Sequence, residues 1–394
     1  MGGLLPLDQA QAQLLALAPE MPAEKVAVER ALGRVLAEDV QARRTQPPAD
    51  LSAMDGYAIG GEDGPWQLVG ESRAGAPFSG NLSRGEATRI STGAHMPEGS
   101  DRVLIQENAE RDGDQISTPH PLPERHRHVR LAGFDFNVGD VLLDRGTHLG
   151  AAQIALAMAA GHAQIGVTRK PRIAILDSGD ELAANPENCG PDQIPASNGA
   201  MIAAMIAPLI GDAERLGPVA DDPAQLAKAL ERAENCDILI TSGGASVGDH
   251  DLVRPALEQW GAQIAFWKAA IRPGKPLMVA QRGKQVVLGL PGNPVSSFVT
   301  CFLFAMPLIR AALGLRDPVA RPIPAELTQE LPATSHRRAF LRGVAKDGKV
   351  RLAPSQDSSA LLSLAQANCL IDRAPHSPCA AIGDQVQVYP LPNG

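Results

Sequence analysis

The sequence predicts a multi-domain protein, part α/β and part β, built around a central, doubly wound, mostly parallel sheet. Three observations predict it. Between residues 168 and 320, short buried-strand patterns alternate with helical ones, and βαβα alternation places helices on both faces of a parallel sheet. Residues 45–135 carry short β-like runs between glycine-rich turns, the pattern of a small all-β domain inserted into the chain. Residues 321–394 repeat that pattern after Arg316 to Ala325, a linker with Pro318, Pro322 and Pro324, and read as a C-terminal β-domain. Segments 1–44 and 136–167 then form a discontinuous N-terminal helical and β linker unit.

Residues 7–19 predict an amphipathic helix with Leu7, Leu14, Leu15 and Leu17 on its apolar positions. The run Val26 to Val40 predicts a short helix stopped at Gly33, then a strand from Val35. Arg43 to Asp50, with Pro47-Pro48, reads as a connection into the inserted domain. There Trp66 to Val69, Val103 to Gln106 and Val129 to Leu131 are β-like. Val138 to Thr147 is β-like, Gly150 to Ala160 an alanine-rich helix, and Ala163 to Thr168 a strand. Pro171 to Leu176 begins the central sheet. Ser197 or Asn198 should cap the helix Ala200 to Ile210, and Asp221-Asp222-Pro223 the helix from Ala224 to Glu234. Strand 237–241, helix 250–260, Gln263 to Trp267 and Val286 to Leu290 complete the alternation.

The stretch Asp237 to Asp251 carries the first chemical signal. Strand 237–241 runs into Ser242-Gly243-Gly244, then Ser246, Gly248 and the acids Asp249 and Asp251. Strand, glycine turn and helix start favour an anion, because glycine lets the backbone approach and free N–H groups attract negative charge. Two carboxylates would repel bare phosphate. They suit a divalent cation such as Mg²⁺ bridging to phosphate oxygens. Ligands bind off the carboxyl ends of such strands, so the loops at 177–181, 242–251 and 291–296 should meet at one edge.

Composition narrows the partners. The formal charge is −8, and aromatic residues make up 3% of 394 residues. Both argue against a nucleic-acid surface, so any anion site is a local basic pocket. Five scattered cysteines show no metal-ligand spacing and fit a reducing cytoplasm. Phe298 to Ile309 is about half of a bilayer span and reads as a buried core helix, so no membrane partner is expected. Arg125-His-Arg-His-Val-Arg130, with His126 and His128, reads as a solvated basic loop.

Seven segments in order resemble the MoeA-type molybdopterin molybdenumtransferases, the family that includes the gephyrin E domain. They are Ser52-Ala-Met-Asp-Gly-Tyr-Ala58, Ser91-Thr-Gly-Ala-His-Met-Pro97, Ser178-Gly-Asp-Glu181 and Ser242-Gly-Gly-Ala-Ser-Val-Gly248, followed by Ala265-Phe-Trp-Lys268, Pro273-Gly-Lys-Pro276 and Leu290-Pro-Gly-Asn-Pro-Val-Ser296. The resemblance spans nearly the whole chain. It implies a MogA-like fold for residues 168–320 and a homodimer whose cleft uses both subunits, the N-terminal unit taking part in dimerisation. It also implies molybdenum insertion from molybdate into adenylylated molybdopterin with release of AMP. A MogA-type adenylyltransferase and other cofactor-biosynthesis proteins are the partners it suggests.

The resemblance implies roles. Ser242, Gly243, Gly244, Ser246 and Gly248 would cradle the pterin-side phosphate, and Asp249 and Asp251 would hold Mg²⁺. Glu181 and Asp221 would share that rim, and Lys268 and Pro294 match family positions. Asp55, from across the dimer, would complete the site with Thr92, Arg130 and Asp135. Arg272, Lys275, Ser296, Arg342 and Ser358 match a molybdate pocket. Arg272 stands where many members carry lysine, and Asp357, beside Ser358, must point away from an oxyanion. Asp221 is equally readable as a helix cap and Lys268 as a strand-end cation. The expected chemistry is Mg²⁺-assisted cleavage of the phosphoanhydride. The alternatives are adenylyl transfer one step earlier and a non-enzymatic scaffold of the gephyrin type.

Overall fold

Strand residues buried on both faces read as near-continuous apolar runs, and the central strands follow that pattern up to the polar residues at their ends. The structure, a computed structural model, describes residues 4–62, 64–243 and 252–391, with the backbone alone at Trp267. Glu214–Arg215, Ile173–Asp177, Ile238–Ser242, Gln285–Leu290, Met278–Arg282 and Gln263–Trp267 lie side by side in that order. The first four are parallel and the last two antiparallel. Alternate residues face two separate cores. Ile173, Ile175, Ile238 and Ile240 pack with helices Ser197–Ile210 and Pro294–Ala312. Ala174, Leu176 and Leu239 pack with helices Pro223–Arg232 and Val253–Gln259 on the other face. The sheet is doubly wound.

The helix Pro294–Ala312 is long and apolar enough to cross a membrane, but 83% of its apolar window is buried inside the protein. Its middle, Cys301–Ala305, is a π-helical segment. There the Leu303 carbonyl accepts the Gln11 side-chain amide at 2.8 Å. The donor lies on helix Leu7–Leu15, whose Leu7, Ala10 and Leu14 join this same core. The first helix therefore reaches across and packs on this long helix of the central domain.

That unit is held by strand Ala23–Ala27 against Gln164–Thr168 and by Val40–Gln41 against Val141–Leu143. The helix expected after Val26 is a single 3-10 turn, Val28–Arg30. The ladder to Gln164–Thr168 takes up the backbone on its N-terminal side, and Gly33 follows too soon for a full helix. The inserted domain is a six-stranded sheet ordered Val103–Ile105, Gly56–Ile59, Glu86–Ile90, Trp66–Ser72, Gln115–Ser117, Glu110–Asp112. In the C-terminal sheet, Arg338–Lys346, Lys349–Leu352, Ile323–Leu327, Gln385–Pro390 and Cys369–Arg373 pair in turn, and the last pairs back to the first. Five strands close on themselves. One short strand from the central region, Ile271–Arg272, adds to this ring in parallel beside Arg338–Ala339.

Candidate active site

Three parallel strands end together. Asp177 lies opposite Ser242, and Ser242 opposite Leu290. The Gly243 N–H donates to the Leu290 carbonyl at 3.2 Å. Gly243 has φ +93°, and a Cβ there would lie 2.9 Å from the Ser178 carbonyl oxygen, so glycine is required on two counts. Asn198 Nδ2 donates to the Gly292 carbonyl at 2.7 Å. Among the described residues, the starts of the loops after the three strands therefore meet at one edge, as the parallel-sheet rule requires. Gly244, Ser246, Gly248, Asp249 and Asp251 lie outside the described residues.

Acids gather beside this edge. The Asp221 N–H donates to Asp180 Oδ1 at 3.0 Å. Burial first, then the charges of Asp180 and Glu181, push the Asp221 carboxyl above its ordinary value. The cap of the next helix is Asp222, which accepts from the Gln225 N–H at 2.9 Å, and Asp221 is left on the rim. Carboxylate oxygens suit a hard divalent cation. Among the described residues no three His, Cys, Asp or Glu groups converge as a metal site, so the donors available here are partial.

Asp177 is a member of this edge that sequence reasoning passed over. It is 1% exposed. One carboxylate oxygen accepts from Arg215 at 3.3 Å, and the Gly199 N–H adds a second bond. Asp177 Oδ1, Ser242 Oγ and Thr241 Oγ1 are buried without hydrogen-bond partners among the described residues. The only hint in the sequence was a carboxylate closing the apolar run Ile173 to Leu176. Neither Ser197 nor Asn198 caps the following helix. It starts at Ser197 with no side-chain cap bond, and Asp177 supplies a carboxylate to its first turn instead. A Cβ on Gly199 would lie 2.0 Å from Asp177 Oδ2, which explains the glycine.

Burial raises the Asp177 carboxyl above its ordinary value, with Arg215 and Gly199 pulling the other way. A raised folded value means that its contribution to stability is complete below the usual carboxylate range and is lost as pH rises through the folded value. Asp177→Asn should therefore gain stability relative to the unmutated chain as pH rises above the ordinary carboxylate range. Urea unfolding at several pH values checks this. A difference between the two chains that does not change with pH would refute it.

In the inserted domain the structure brings Asp55 and Thr92 together. The Asp55 carboxylate accepts the Thr92 N–H at 2.7 Å. Gly56 follows because a Cβ there would meet the Leu104 carbonyl at 2.2 Å. Arg130 lies on the strand paired with Leu51–Ser52, and the Ala53 N–H bonds the His128 carbonyl at 2.8 Å. Asp135 is exposed, its N–H on the Gln46 carbonyl at 3.0 Å. Among the described residues no hydrogen bond or ion pair joins Asp55, Thr92, Arg130 or Asp135 to the glycine-turn edge of the same chain.

A cavity of about 670 Å³ opens between the central sheet and the C-terminal ring. Arg272, Lys275, Ser296, Arg342 and Ser358 all line it, and so does Arg337. Arg342 is 1% exposed. Its Nε and Nη2 donate to the Ser355 carbonyl at 3.2 and 2.8 Å, and Nη2 to the Asp357 carbonyl at 3.0 Å. Burial lowers it from the ordinary arginine value, partly offset by Asp357. The Asp357 carboxylate turns onto its own loop, accepting from Ser359 Oγ at 2.6 Å and N–H at 2.9 Å. Those bonds hold it below the usual range. Lys268, at φ +97°, is not part of the cavity wall. It donates its N–H to the Leu277 carbonyl and accepts from the Leu5 N–H.

Cavity and glycine-turn edge share one loop. Gly292 is bonded by Asn198 at the sheet edge. Three residues on, the Val295 N–H donates to the Ser358 carbonyl at 3.1 Å, and Asn293 Nδ2 to Ser358 Oγ at 3.3 Å. Pro294 takes the first helical turn between them, where a missing N–H costs nothing.

Relatives carry the same layout. A family model for the MoeA N-terminal region (domains I and II) matches residues 5–161. One for a probable molybdopterin binding domain matches 174–311, and one for the MoeA C-terminal region (domain IV) matches 324–391. A molybdopterin molybdenumtransferase of Haemophilus influenzae is 33% identical over 400 residues, covering 98% of this chain and 99% of that protein. The chain belongs to the molybdopterin molybdenumtransferase family. As a molybdopterin molybdenumtransferase it is an enzyme of molybdenum cofactor biosynthesis. The relative from Nostoc, of the same name, is 35% identical over 91% of this chain and 87% of its own. The solved MoeA protein of Pyrococcus horikoshii superposes with a TM-score of 0.86 at 27% identity, covering 98% of this chain and all of that one.

Proposed function

We propose that this molybdopterin molybdenumtransferase transfers molybdenum from molybdate to adenylylated molybdopterin, cleaving the phosphoanhydride and releasing AMP. The observation that carries the reading is the shared loop Pro291 to Ser296. It ties an edge suited to phosphate to a cavity lined by Arg272, Lys275 and Arg342. A phosphorylated pterin and a tetrahedral oxyanion can then sit on either side of a single backbone segment.

Ser242 and Gly243 start the phosphate cradle, with Gly244, Ser246 and Gly248 continuing it. Arg272 and Lys275 supply charge-assisted donors to the oxyanion, and Ser296, Arg342 and Ser358 line the same wall. Asp221 and Glu181 hold the attacking oxygen in place. Asp249 and Asp251 would hold Mg²⁺, which when bound neutralises charge on the phosphoanhydride; the hard oxygen donors of the rim suit that ion. Asp55, Thr92, Arg130 and Asp135 have no link to this edge in their own chain, which supports a homodimer whose second copy delivers them. Pterin adenylylation by a MogA-type enzyme would supply the substrate. A reducing cytoplasm suits five free cysteines.

The test supplies purified protein with adenylylated molybdopterin, Mg²⁺ and molybdate, and follows AMP. AMP should appear only when molybdate is present. Asp55→Ala should lower its rate by about 10²-fold, with the circular dichroism spectrum retained. Adenylylated product from ATP and molybdopterin would move the enzyme one step earlier. No AMP under any condition would leave a scaffold.

A further inference from the structure

The cavity wall holds one cation more than the molybdate pocket read from the sequence. Arg337 sits just before strand Arg338–Lys346 and lines the same space as Arg272 and Lys275. Its Nη1 donates a long bond, 3.4 Å, to the Ile271 carbonyl. Its Nε is buried with no hydrogen-bond partner among the described residues. Among the described residues no acid pairs with it.

Its neighbours are differently placed. Arg338 is clamped by Asp372, at 2.8 Å from Nε and 2.6 Å from Nη2, and reaches Asp8 at 3.2 Å. Held this way, Arg338 does not line the cavity. Arg342 lines it, but two of its three nitrogens are spent on the carbonyls of Ser355 and Asp357. Its first task is to shape the loop. Among the cavity-lining arginines, Arg337 therefore keeps more of its donors uncommitted than Arg342 does.

A buried N–H without an acceptor is unfavourable. A guanidinium fork presents paired N–H groups that match two oxygens of a tetrahedral anion, which an ammonium cannot do. We propose that Arg337 is a further binding residue for the oxyanion substrate, beside Arg272 and Lys275 on the cavity wall. This inference rests on the assignment of the cavity to molybdate.

Calorimetric titration of the full chain with sodium molybdate at fixed ionic strength tests it. Arg337→Gln should weaken binding about tenfold or more. Arg351→Gln, which changes an exposed cation that does not line the cavity, should stay within about twofold of the unmutated chain. Lys275→Gln separates the two layers of the argument. If it loses binding while Arg337→Gln behaves like Arg351→Gln, the role of Arg337 is overturned and the cavity assignment stands. If neither variant changes affinity, the cavity assignment fails and the inference goes with it. Should Arg337→Gln fold poorly, Arg337→Lys keeps the charge and loses the fork. It should still bind about threefold or more weakly, and unchanged affinity would overturn the proposal.

Discussion

Lys275→Ala is expected to lower molybdate-dependent AMP release by about 10²-fold while leaving the melting temperature unchanged. The side chain is exposed on the cavity wall and has no hydrogen-bond or ion-pair partner among the described residues. Only its carbonyl is used structurally, accepting the Ala269 N–H at 3.3 Å, and alanine keeps that bond. Nothing in the fold depends on the ammonium, so removing it reports on the anion alone. The loss should fall mainly on the KM for molybdate, with high molybdate recovering part of the rate. Rates measured across molybdate concentrations decide it. A change below about threefold, under half the energy of a tenfold effect, would remove Lys275 from the pocket.

Phe304→Ala should cost about 3–5 kcal/mol of stability. Phe304 is fully buried in the π-helical segment of Pro294–Ala312. The core around it draws on helix Leu7–Leu15, the central sheet, and Phe340, Leu370 and Tyr389 of the C-terminal ring. A void there is felt by three parts of the chain, and none of them can collapse into it without moving the others. Scanning calorimetry should show the main transition lowered by roughly 2–4 °C for each kcal/mol lost. Leu362→Ala, at a side chain 75% exposed, should shift it little. Equal shifts in the two variants would refute the argument.

The central sheet was legible because strands such as Ile238–Ser242, buried on both faces, read as short, nearly continuous apolar runs. Its acidic and glycine turns were legible because special backbone needs special residues. Tertiary capping was not legible. Ser197 and Asn198 carry every local mark of a helix cap, yet the carboxylate at the helix start comes from Asp177, 20 positions upstream, across a sheet edge that no window can see. The short run before Gly33 reads as a helix alone and becomes one turn because a strand more than a hundred residues away claims its approach. Clustering of Arg272, Lys275, Ser296, Arg342 and Ser358 followed from matched motifs. Arg337 had no motif, and beside Arg338 it looked like any pair of solvated arginines. Only the count of acceptors around each separates them.

The parallel contact of Ile271–Arg272 with Arg338–Ala339 is two residues long, and it acts as a phase key. Strand side chains alternate with a period of two. A slip of one position would pull the acid-locked Arg338 off Asp372 and take Arg337 away from the Ile271 carbonyl. Asp372 and Asp8, by holding Arg338 on the far side, forbid that slip. An ion pair outside the cavity thereby helps decide which of two adjacent arginines lines it.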